Sequence, residues 1–566
     1  MISDKKHIGQ LAAILLAKGV SDVVISPGSR NSPLIHTFVG CGKFHCYSIV
    51  DERSAAYFAI GLSQALRKPV VIVCSSGTAA LNYASGVAEA FYLNVPLIAI
   101  TADRPGYRIN QMENQCIVQN HIYQDFTAMG VTLPLGESET ELWHAGRLIN
   151  ECLNKGKNRP VHINIPLEEP LNGLTEDKLP DVKIIDIHEG CADIPALPTS
   201  CKVMILAGQQ LPDTETSKLI SELIDKHSVV VLKEHLANIH CPQSIGNLDL
   251  LMSFIKPRSE DFRPDLLITL GGHIVSKSLN RFLKINKPVE HWIISTSNDH
   301  SDTYQALTKI INTPVNRFLR FLIEQDFSGS SAYLKEWKQA EQKVTSIRQE
   351  YCTNLEFCDM FVFNRLSEFI PNSSVIHLGN STPVRYALME KPVPEAVYMG
   401  NRGVSGIDGS LSTAVGYANA SDCINTIILG DLSFFYDSNA LWNSHVPENL
   451  RIVVINNDGG NIFKLIDSPE KSPAFRKFIH TENKFKAEGI AKTFGINYLC
   501  ASNKEEMDES LNMLYSQKGT AILEVFTNSE INSVIFKKLL SSINNFATEA
   551  EGATPKLPVR PPLTHL

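Results

Sequence analysis

Between Ile427 and Ile462 the chain reads IILGDLSFFYDSNALWNSHVPENLRIVVINNDGGNI, and no other stretch constrains the fold as much. Two apolar runs, Ile427-Ile428-Leu429 and Ile452-Val453-Val454-Ile455, have the length and β-branched content of buried parallel strands. Each stops at hard oxygen donors: Gly430-Asp431 after the first, Asn456-Asn457-Asp458-Gly459-Gly460 after the second. In an open α/β sheet, ligands gather at the carboxyl ends of neighbouring strands. The Asp431 carboxylate, the Asn457 amide oxygen and the Gly459 carbonyl suffice for half of an octahedral Mg²⁺ shell, with phosphate oxygens and water completing it. Glycine at 459 and 460 lets the backbone turn sharply enough to aim that carbonyl inward. Taken singly, each half is an ordinary strand end, an Asp helix cap or an Asn-Asp-Gly-Gly turn. At this spacing, each behind a buried strand, the pair favours a metal site.

A chain of 566 residues predicts about three domains. With 43% hydrophobic and 20% charged residues it has the composition of a soluble globular protein with ample core. A net charge of −8 argues against general nucleic-acid binding but not against an anionic small substrate held by a local arginine cluster. The 12 cysteines contain no CxxC pair, which argues against a zinc site or a disulfide framework. Met1 to Lys6 lacks the apolar core of a signal peptide, and no apolar run is long enough for a membrane span, so a cytoplasmic enzyme is expected.

Helix and strand alternate through the first third. Ile8 to Lys18 has a helical apolar period, Asp22 to Ser26 reads as a strand, and Pro27-Gly28-Ser29-Arg30 turns into the next helix. A helix start beside an arginine suits an anion, although a plain turn with a solvated arginine explains this stretch equally well. Tyr47 to Val50 is a strand running into Asp51-Glu52-Arg53, with a small-residue helix from Ser54 to Leu66; capping accounts for one of the two acids. Val70 to Cys74 precedes Ser75-Ser76-Gly77-Thr78 and a helix from Ala79 to Ala90; Pro96 to Thr101 precedes Asp103-Arg104. Asn114-Gln115 lies in a loop, Gln111 to Gln119, too rich in amides to be core. Val161 to Ile165 closes the first domain, expected as residues 1–175.

Residues 176–200 read as a linker and 201–345 as a central αβ domain, with strands at Val203-Leu206, Val229-Leu232, Leu266-Leu270 and His291-Ser295. Gly271-Gly272 lacks a full GxGxxG, so no dinucleotide site is assigned, and Lys277 on the following helix can face a cleft. Residues 346–566 form the third domain and its tail, the tail beginning near 545; Ser328 to Tyr351, with long-helix composition, leads into it. There Ser381 and Arg385 are four apart on a helix start and share a face, offering a hydroxyl and a guanidinium to a carboxylate. A serine cap with a surface arginine is the commoner outcome for such a pair. The loop YMGNRGVSGIDG from Tyr398 holds four glycines around Ile407, a pattern for close approach of backbone to a ligand, and Ile462 to Ile466 offers apolar lining.

The Gly-Asp and Asn-Asn pair resembles the signature of thiamine-diphosphate enzymes, with Leu432 standing where that family usually has a further glycine. SPGSRNSPL, VDERSAAYFAIGL, SSGTAALN, TADRP, Asn114-Gln115, GNSTPVR, NRGVSGIDGSLSTAVG, GDLSFFYDSNAL and NNDGGNIF resemble, in order from residue 26 to 463, one branch of it: the 2-succinyl-5-enolpyruvyl-6-hydroxy-3-cyclohexene-1-carboxylate synthase family of menaquinone biosynthesis. The resemblance implies three αβ domains with parallel sheets (pyrimidine-binding, central and diphosphate-binding), with thiamine diphosphate and Mg²⁺ or Mn²⁺ as cofactors. It implies a transferase that decarboxylates 2-oxoglutarate and adds the succinyl unit to isochorismate. Glu52 would activate the cofactor by sharing a proton with N1′ of its aminopyrimidine; Asp431, Asn457 and Gly459 would hold the metal. Ser76, Gly77, Thr78, Ser405, Gly406, Ile407, Leu432, Ser433, Ile462 and Phe463 would line the cofactor. Ser381 and Arg385 would hold the distal carboxylate of 2-oxoglutarate, with Ser29, Arg30, Arg104, Asn114, Gln115, Lys277 and Arg402 around isochorismate. Some members carry arginine after that lysine, where this chain has Ser278, which weakens the central-domain assignment. A homodimer would be the minimum active unit, with a tetramer as the larger option. Another thiamine-diphosphate carboligase or decarboxylase, or a non-catalytic homologue, remains an alternative.

Overall fold

Continuous apolar runs become fully covered strands here because helices pack on both faces of each parallel sheet. The computed structural model describes residues 1–184, 201–296, 301–465 and 471–549. Most of the expected linker, Ile466 and the tail beyond 549 therefore lie outside the described residues.

The first sheet has six parallel strands in the order His45–Ser48, Asp22–Ile25, Val70–Cys74, Leu97–Asp103, Val161–Pro166, Met129–Thr132. The third sheet repeats that order with Val397–Met399, Val375–Leu378, Asn425–Gly430, Leu450–Asn456, Ala521–Phe526 and Asn497–Ala501. Between them in sequence, a five-stranded parallel sheet runs Val230–Lys233, Val203–Ala207, Leu266–Leu270, Glu290–Ser295, Leu307–Asn312. A short antiparallel pair, Ile2–Ser3 with Leu174–Thr175, ties the start of the chain to the end of the first unit.

The two six-stranded units meet through topologically equivalent helices, Glu52–Leu66 and Ser410–Asn419. Their approach requires glycine: a Cβ on Gly61 would lie 2.0 Å from the Thr413 carbonyl oxygen, and one on Gly416 2.0 Å from that of Phe58. Ala55, Ala59, Leu62, Leu411, Ala414 and Val415 are buried in the apolar cluster shared by the two units. No helix among the described residues is long and apolar enough to cross a membrane.

Four expectations change in detail. The helix expected from Ala79 to Ala90 is two, Thr78–Asn82 and Ala84–Leu93. The Asn82 amide donates to the Thr78 carbonyl at 3.1 Å, an acceptor a continuing backbone ladder would use. Helix Ser331–Cys352 runs across residue 345 without interruption. The stretch entering the tail is helical to Glu549, because Ile535, Leu539 and Ile543 recur every four residues and are buried. Finally, Gln119 is core rather than loop surface. Its amide accepts from Gly77 N at 2.8 Å and donates to Ala102 O and Asn164 Oδ1 at 3.0 Å, which satisfies it in a fully buried position.

Candidate active site

The strands Asn425–Gly430 and Leu450–Asn456 are direct neighbours, so the oxygen donors at their carboxyl ends come together. Asp431 opens the helix Asp431–Tyr436 and is buried. Burial pushes its carboxyl up to about 6, while the Asn483 side chain and the Leu432 and Gly459 amides draw it back. Asn483 Nδ2 donates to Asp431 Oδ2 at 2.8 Å. Asn457 donates its Nδ2 to Asp359 Oδ2 at 2.8 Å, which turns its Oδ1 the other way. Gly459 has φ +113°, and a Cβ there would meet the Thr481 carbonyl oxygen at 2.3 Å. Its carbonyl accepts from Asn461 N at 2.8 Å and keeps a second lone pair. A carboxylate, an oriented amide oxygen and a carbonyl, all in one loop cluster, fit a hard divalent cation. No group of three or more His, Cys, Asp or Glu side chains suited to a metal occurs among the described residues, so this donor set depends on amide and backbone oxygens.

The glycine-rich loop lies against this cluster. Ser433 Oγ donates to the Ile407 carbonyl at 3.1 Å, and Leu432, Ser405, Gly406 and Ile407 are half-buried. Ser405 adopts φ 66°. Gly409 packs on Tyr57, where a Cβ would lie 2.1 Å from the ring, and the Tyr57 hydroxyl donates to Asp408 at 3.1 Å. Ile462 and Phe463, half-buried, follow the Gly459-Gly460 turn.

Glu52 begins the helix Glu52–Leu66, and Asp51 is the cap, accepting from Ser54 N at 3.0 Å. The capping explanation thus falls to Asp51 and leaves Glu52 without that duty. Burial raises the Glu52 pKa, its own backbone amide opposes the shift, and Asp51 adds to it. Asp51 also accepts from Asn439 at 2.8 Å and Arg53 donates to the Tyr436 carbonyl at 2.9 Å, locking this helix start to the third unit. No hydrogen bond joins Glu52 to Asp431, Asn457 or Gly459 among the described residues.

Arg385 and Arg402 form a second centre. Burial lowers both guanidinium pKa values, and each feels the carboxylate of Glu234; Arg385 in turn lowers Arg402. Arg402 donates to Asn380 Oδ1, and its Nε is buried with no partner among the described residues. Arg385 Nη1 returns to the Ser381 carbonyl at 2.5 Å. Ser381 precedes the helix Thr382–Met389 but makes no capping bond with its side chain, so the capping account of this pair does not hold. The central unit reaches this centre through Glu234, which accepts from Val275 and Ser276 amides at 2.8 Å and whose burial raises its pKa to about 7. Lys277 stands exposed one residue beyond Ser276.

On the first unit, Ser76 Oγ donates to the Gln115 carbonyl at 2.9 Å, and Gly77 packs on Gln115 so closely that a Cβ would lie 3.0 Å from its backbone. Arg104 donates to the Asn114 carbonyl at 2.8 Å and pairs with Glu113 at 3.2 Å. Arg30 is buried rather than solvated, bonded to the Leu167 carbonyl at 3.1 Å and Glu169 at 3.0 Å, while Ser29 and Thr78 are exposed. Both Arg30 and Arg104 act on the buried Asp103. Sequence reasoning did not single out Asp359, Asn483, Glu234 or Gln119. Their partners are 98, 52, 41 and 42 residues away, and no local pattern marks them.

Two doubly wound units of identical strand order, with an oxygen-donor loop at one carboxyl edge, define the class of thiamine-diphosphate enzymes. Family models for the N-terminal thiamine pyrophosphate binding domain, the middle domain and the C-terminal thiamine pyrophosphate binding domain match residues 7–129, 196–378 and 358–525. The chain is 39% identical to the 2-succinyl-5-enolpyruvyl-6-hydroxy-3-cyclohexene-1-carboxylate synthase of Phocaeicola vulgatus, over 96% of this chain and all of the relative. Synthases of the same name from Bacteroides thetaiotaomicron and Flavobacterium johnsoniae are 38% and 37% identical, covering 95% and 96% of this chain and 98% and 100% of those relatives. The chain belongs to the 2-succinyl-5-enolpyruvyl-6-hydroxy-3-cyclohexene-1-carboxylate synthase family.

Proposed function

We propose that this chain catalyses the synthase reaction: decarboxylation of 2-oxoglutarate and transfer of the succinyl unit to isochorismate, with thiamine diphosphate held through Mg²⁺. When bound, thiamine diphosphate would supply a carbon nucleophile and a sink for the negative charge left by loss of CO₂. Asp431, Asn457 Oδ1 and the Gly459 carbonyl hold the cation, which anchors the diphosphate. Glu52 supplies a carboxyl whose raised pKa suits it to hold a proton against a ring nitrogen and to exchange it. Ile407, Leu432, Ile462 and Phe463 shield the reacting region from water, and Ser405, Gly406, Ser433, Ser76, Gly77 and Thr78 line the cofactor.

The observation that carries the substrate reading is the Arg385–Arg402 pair: Arg402 is buried and Arg385 half-buried, burial lowers both guanidinium pKa values, and Arg402 Nε has no partner among the described residues. A monocarboxylic 2-oxo acid such as pyruvate offers no distal carboxylate for Arg385. Ser381 and Arg385 bind that carboxylate, while Arg402, Ser29, Arg30, Arg104, Asn114, Gln115 and Lys277 line the side taking isochorismate. Incubation with thiamine diphosphate, Mg²⁺, 2-oxoglutarate and isochorismate, following CO₂ and product mass together, tests the reading. CO₂ release without a condensed product would refute the acceptor assignment. Asp431→Ala is expected to abolish Mg²⁺-dependent thiamine-diphosphate binding by calorimetry, and unchanged affinity would remove the metal site.

A further inference from the structure

Asp359 is fully buried, opens the helix Asp359–Phe369, and gathers the ends of three separate segments. Its Oδ2 accepts from Asn457 Nδ2 at 2.8 Å and Asn461 Nδ2 at 3.4 Å. Its Oδ1 accepts from Thr527 Oγ1 at 2.5 Å, and its backbone N–H donates to Asn532 Oδ1 at 2.8 Å. We propose that Asp359 is the positioning residue that determines which end of the Asn457 amide faces the cation, an inference that rests on the metal site proposed above.

An amide has nearly the same shape in its two flipped orientations, so packing alone does not choose between them. Both Asp359 oxygens are engaged as acceptors, Oδ2 by the Asn457 and Asn461 amides and Oδ1 by the Thr527 hydroxyl, so it is the NH₂ end of Asn457 that faces Asp359. The carbonyl end must then face away from Asp359. In the opposite orientation two acceptors would meet inside the protein, and an NH₂ group would be presented to a cation that needs oxygen. Asn483 does the corresponding work at Asp431 by occupying Oδ2. Such partners of metal ligands, themselves out of reach of the metal, commonly contribute about 10- to 100-fold to metal affinity.

A purely structural role for Asp359 makes a different forecast, because it would lower stability without singling out the metal. The test titrates Mg²⁺ calorimetrically into the full chain at saturating thiamine diphosphate, with melting temperatures recorded in the absence of both. Asp359→Asn is expected to weaken the apparent Mg²⁺ affinity by about 10- to 100-fold. Thr527→Val, which removes another of Asp359's partners without touching Asn457, is expected to lower the melting temperature while leaving Mg²⁺ affinity within about threefold of the parent. The exchanged pair, Asp359→Asn with Asn457→Asp, restores one amide–carboxylate hydrogen bond with its direction reversed and again turns an oxygen to the cation. It is expected to recover most of the lost affinity. If Asp359→Asn does not fold, the exchanged pair decides: Mg²⁺ binding supports the proposal, and a folded protein without it overturns the proposal. Parental affinity in Asp359→Asn with loss in Asp431→Ala overturns this inference alone. Parental affinity in both variants overturns the metal site and this inference with it.

Discussion

Ser381 occupies φ 77° and ψ −127°, a backbone conformation that a residue with a Cβ adopts at a cost of about 1–3 kcal/mol. Its hydroxyl makes no cap, so strain and an uncommitted side chain together are consistent with the carboxylate pocket proposed for it and Arg385. Ser381→Gly is expected to relieve the strain and raise unfolding free energy by about 1 kcal/mol. The same variant should lower kcat/KM for 2-oxoglutarate by about three- to tenfold through the lost hydrogen bond. Denaturant melts and steady-state kinetics on one preparation check both; a variant both less stable and fully active would contradict the account. Arg385→Ala removes a charge-assisted contact contributing on the order of 1.5–3 kcal/mol. Its loss should fall on 2-oxoglutarate far more than on a monocarboxylic 2-oxo acid, and equal losses would refute the carboxylate pocket. Glu52→Gln should keep the fold and most cofactor affinity while losing proton exchange at the cofactor's C2, measured by NMR.

At the scale of elements, the contact between helices Glu52–Leu66 and Ser410–Asn419 depends on two glycines facing carbonyl oxygens. Gly61→Ala or Gly416→Ala forces these helices apart, since the new Cβ would lie 2.0 Å from backbone. Each is expected to destabilise by about 1–3 kcal/mol, read as a lower melting temperature, with the first and third units loosening together in hydrogen exchange. Glu234 gives a pH test. Its folded-state pKa is raised from 4.5 to about 7, so the folded protein keeps this proton where the unfolded chain has lost it. Stability from this group is therefore present below the unfolded value and lost as pH rises through about 7. Glu234→Gln should flatten the dependence between those limits relative to the parent in paired denaturant melts. Equal slopes would show that Glu234 is not held protonated.

The molecule as a whole uses the same six-strand order twice. If the homodimer that the family resemblance implies joins Glu52 of one subunit to Asp431 of the other in each site, complementation is expected. Glu52→Gln and Asp431→Ala proteins, each inactive alone, should regain about a quarter of parental activity when mixed as one-to-one dimers and allowed to exchange, because half the dimers are mixed and each carries one intact site. No recovery, with exchange demonstrated by native mass spectrometry, would place both residues of a site on one chain.

How far each feature was legible depended on the distance over which its cause acts. The strands Ile427–Leu429 and Ile452–Ile455, the donors behind them and the glycine turn were readable directly, because burial and turn chemistry are written in adjacent residues. Ser381 and Arg385 were readable as neighbours at a helix start, but not that Ser381 stands just before the helix in a strained conformation with no capping bond from its side chain. The burial of Gln119 was misjudged and that of Arg30 left open, since a polar side chain enters the core only when partners from distant segments satisfy it. Asp359 illustrates the limit: nothing around it in the chain distinguishes it from a helix-capping acid. Its contacts with Asn457, 98 residues on, and Thr527, 168 residues on, exist only once the sheet has brought their strand ends together. The linear pattern by itself determined the units, their strand–helix alternation and the chemistry offered at strand ends. Tertiary structure decided which acceptors are occupied, which guanidinium groups are confined together and which way an amide faces, because hydrogen-bond satisfaction in a buried site is settled among groups that the sequence keeps far apart.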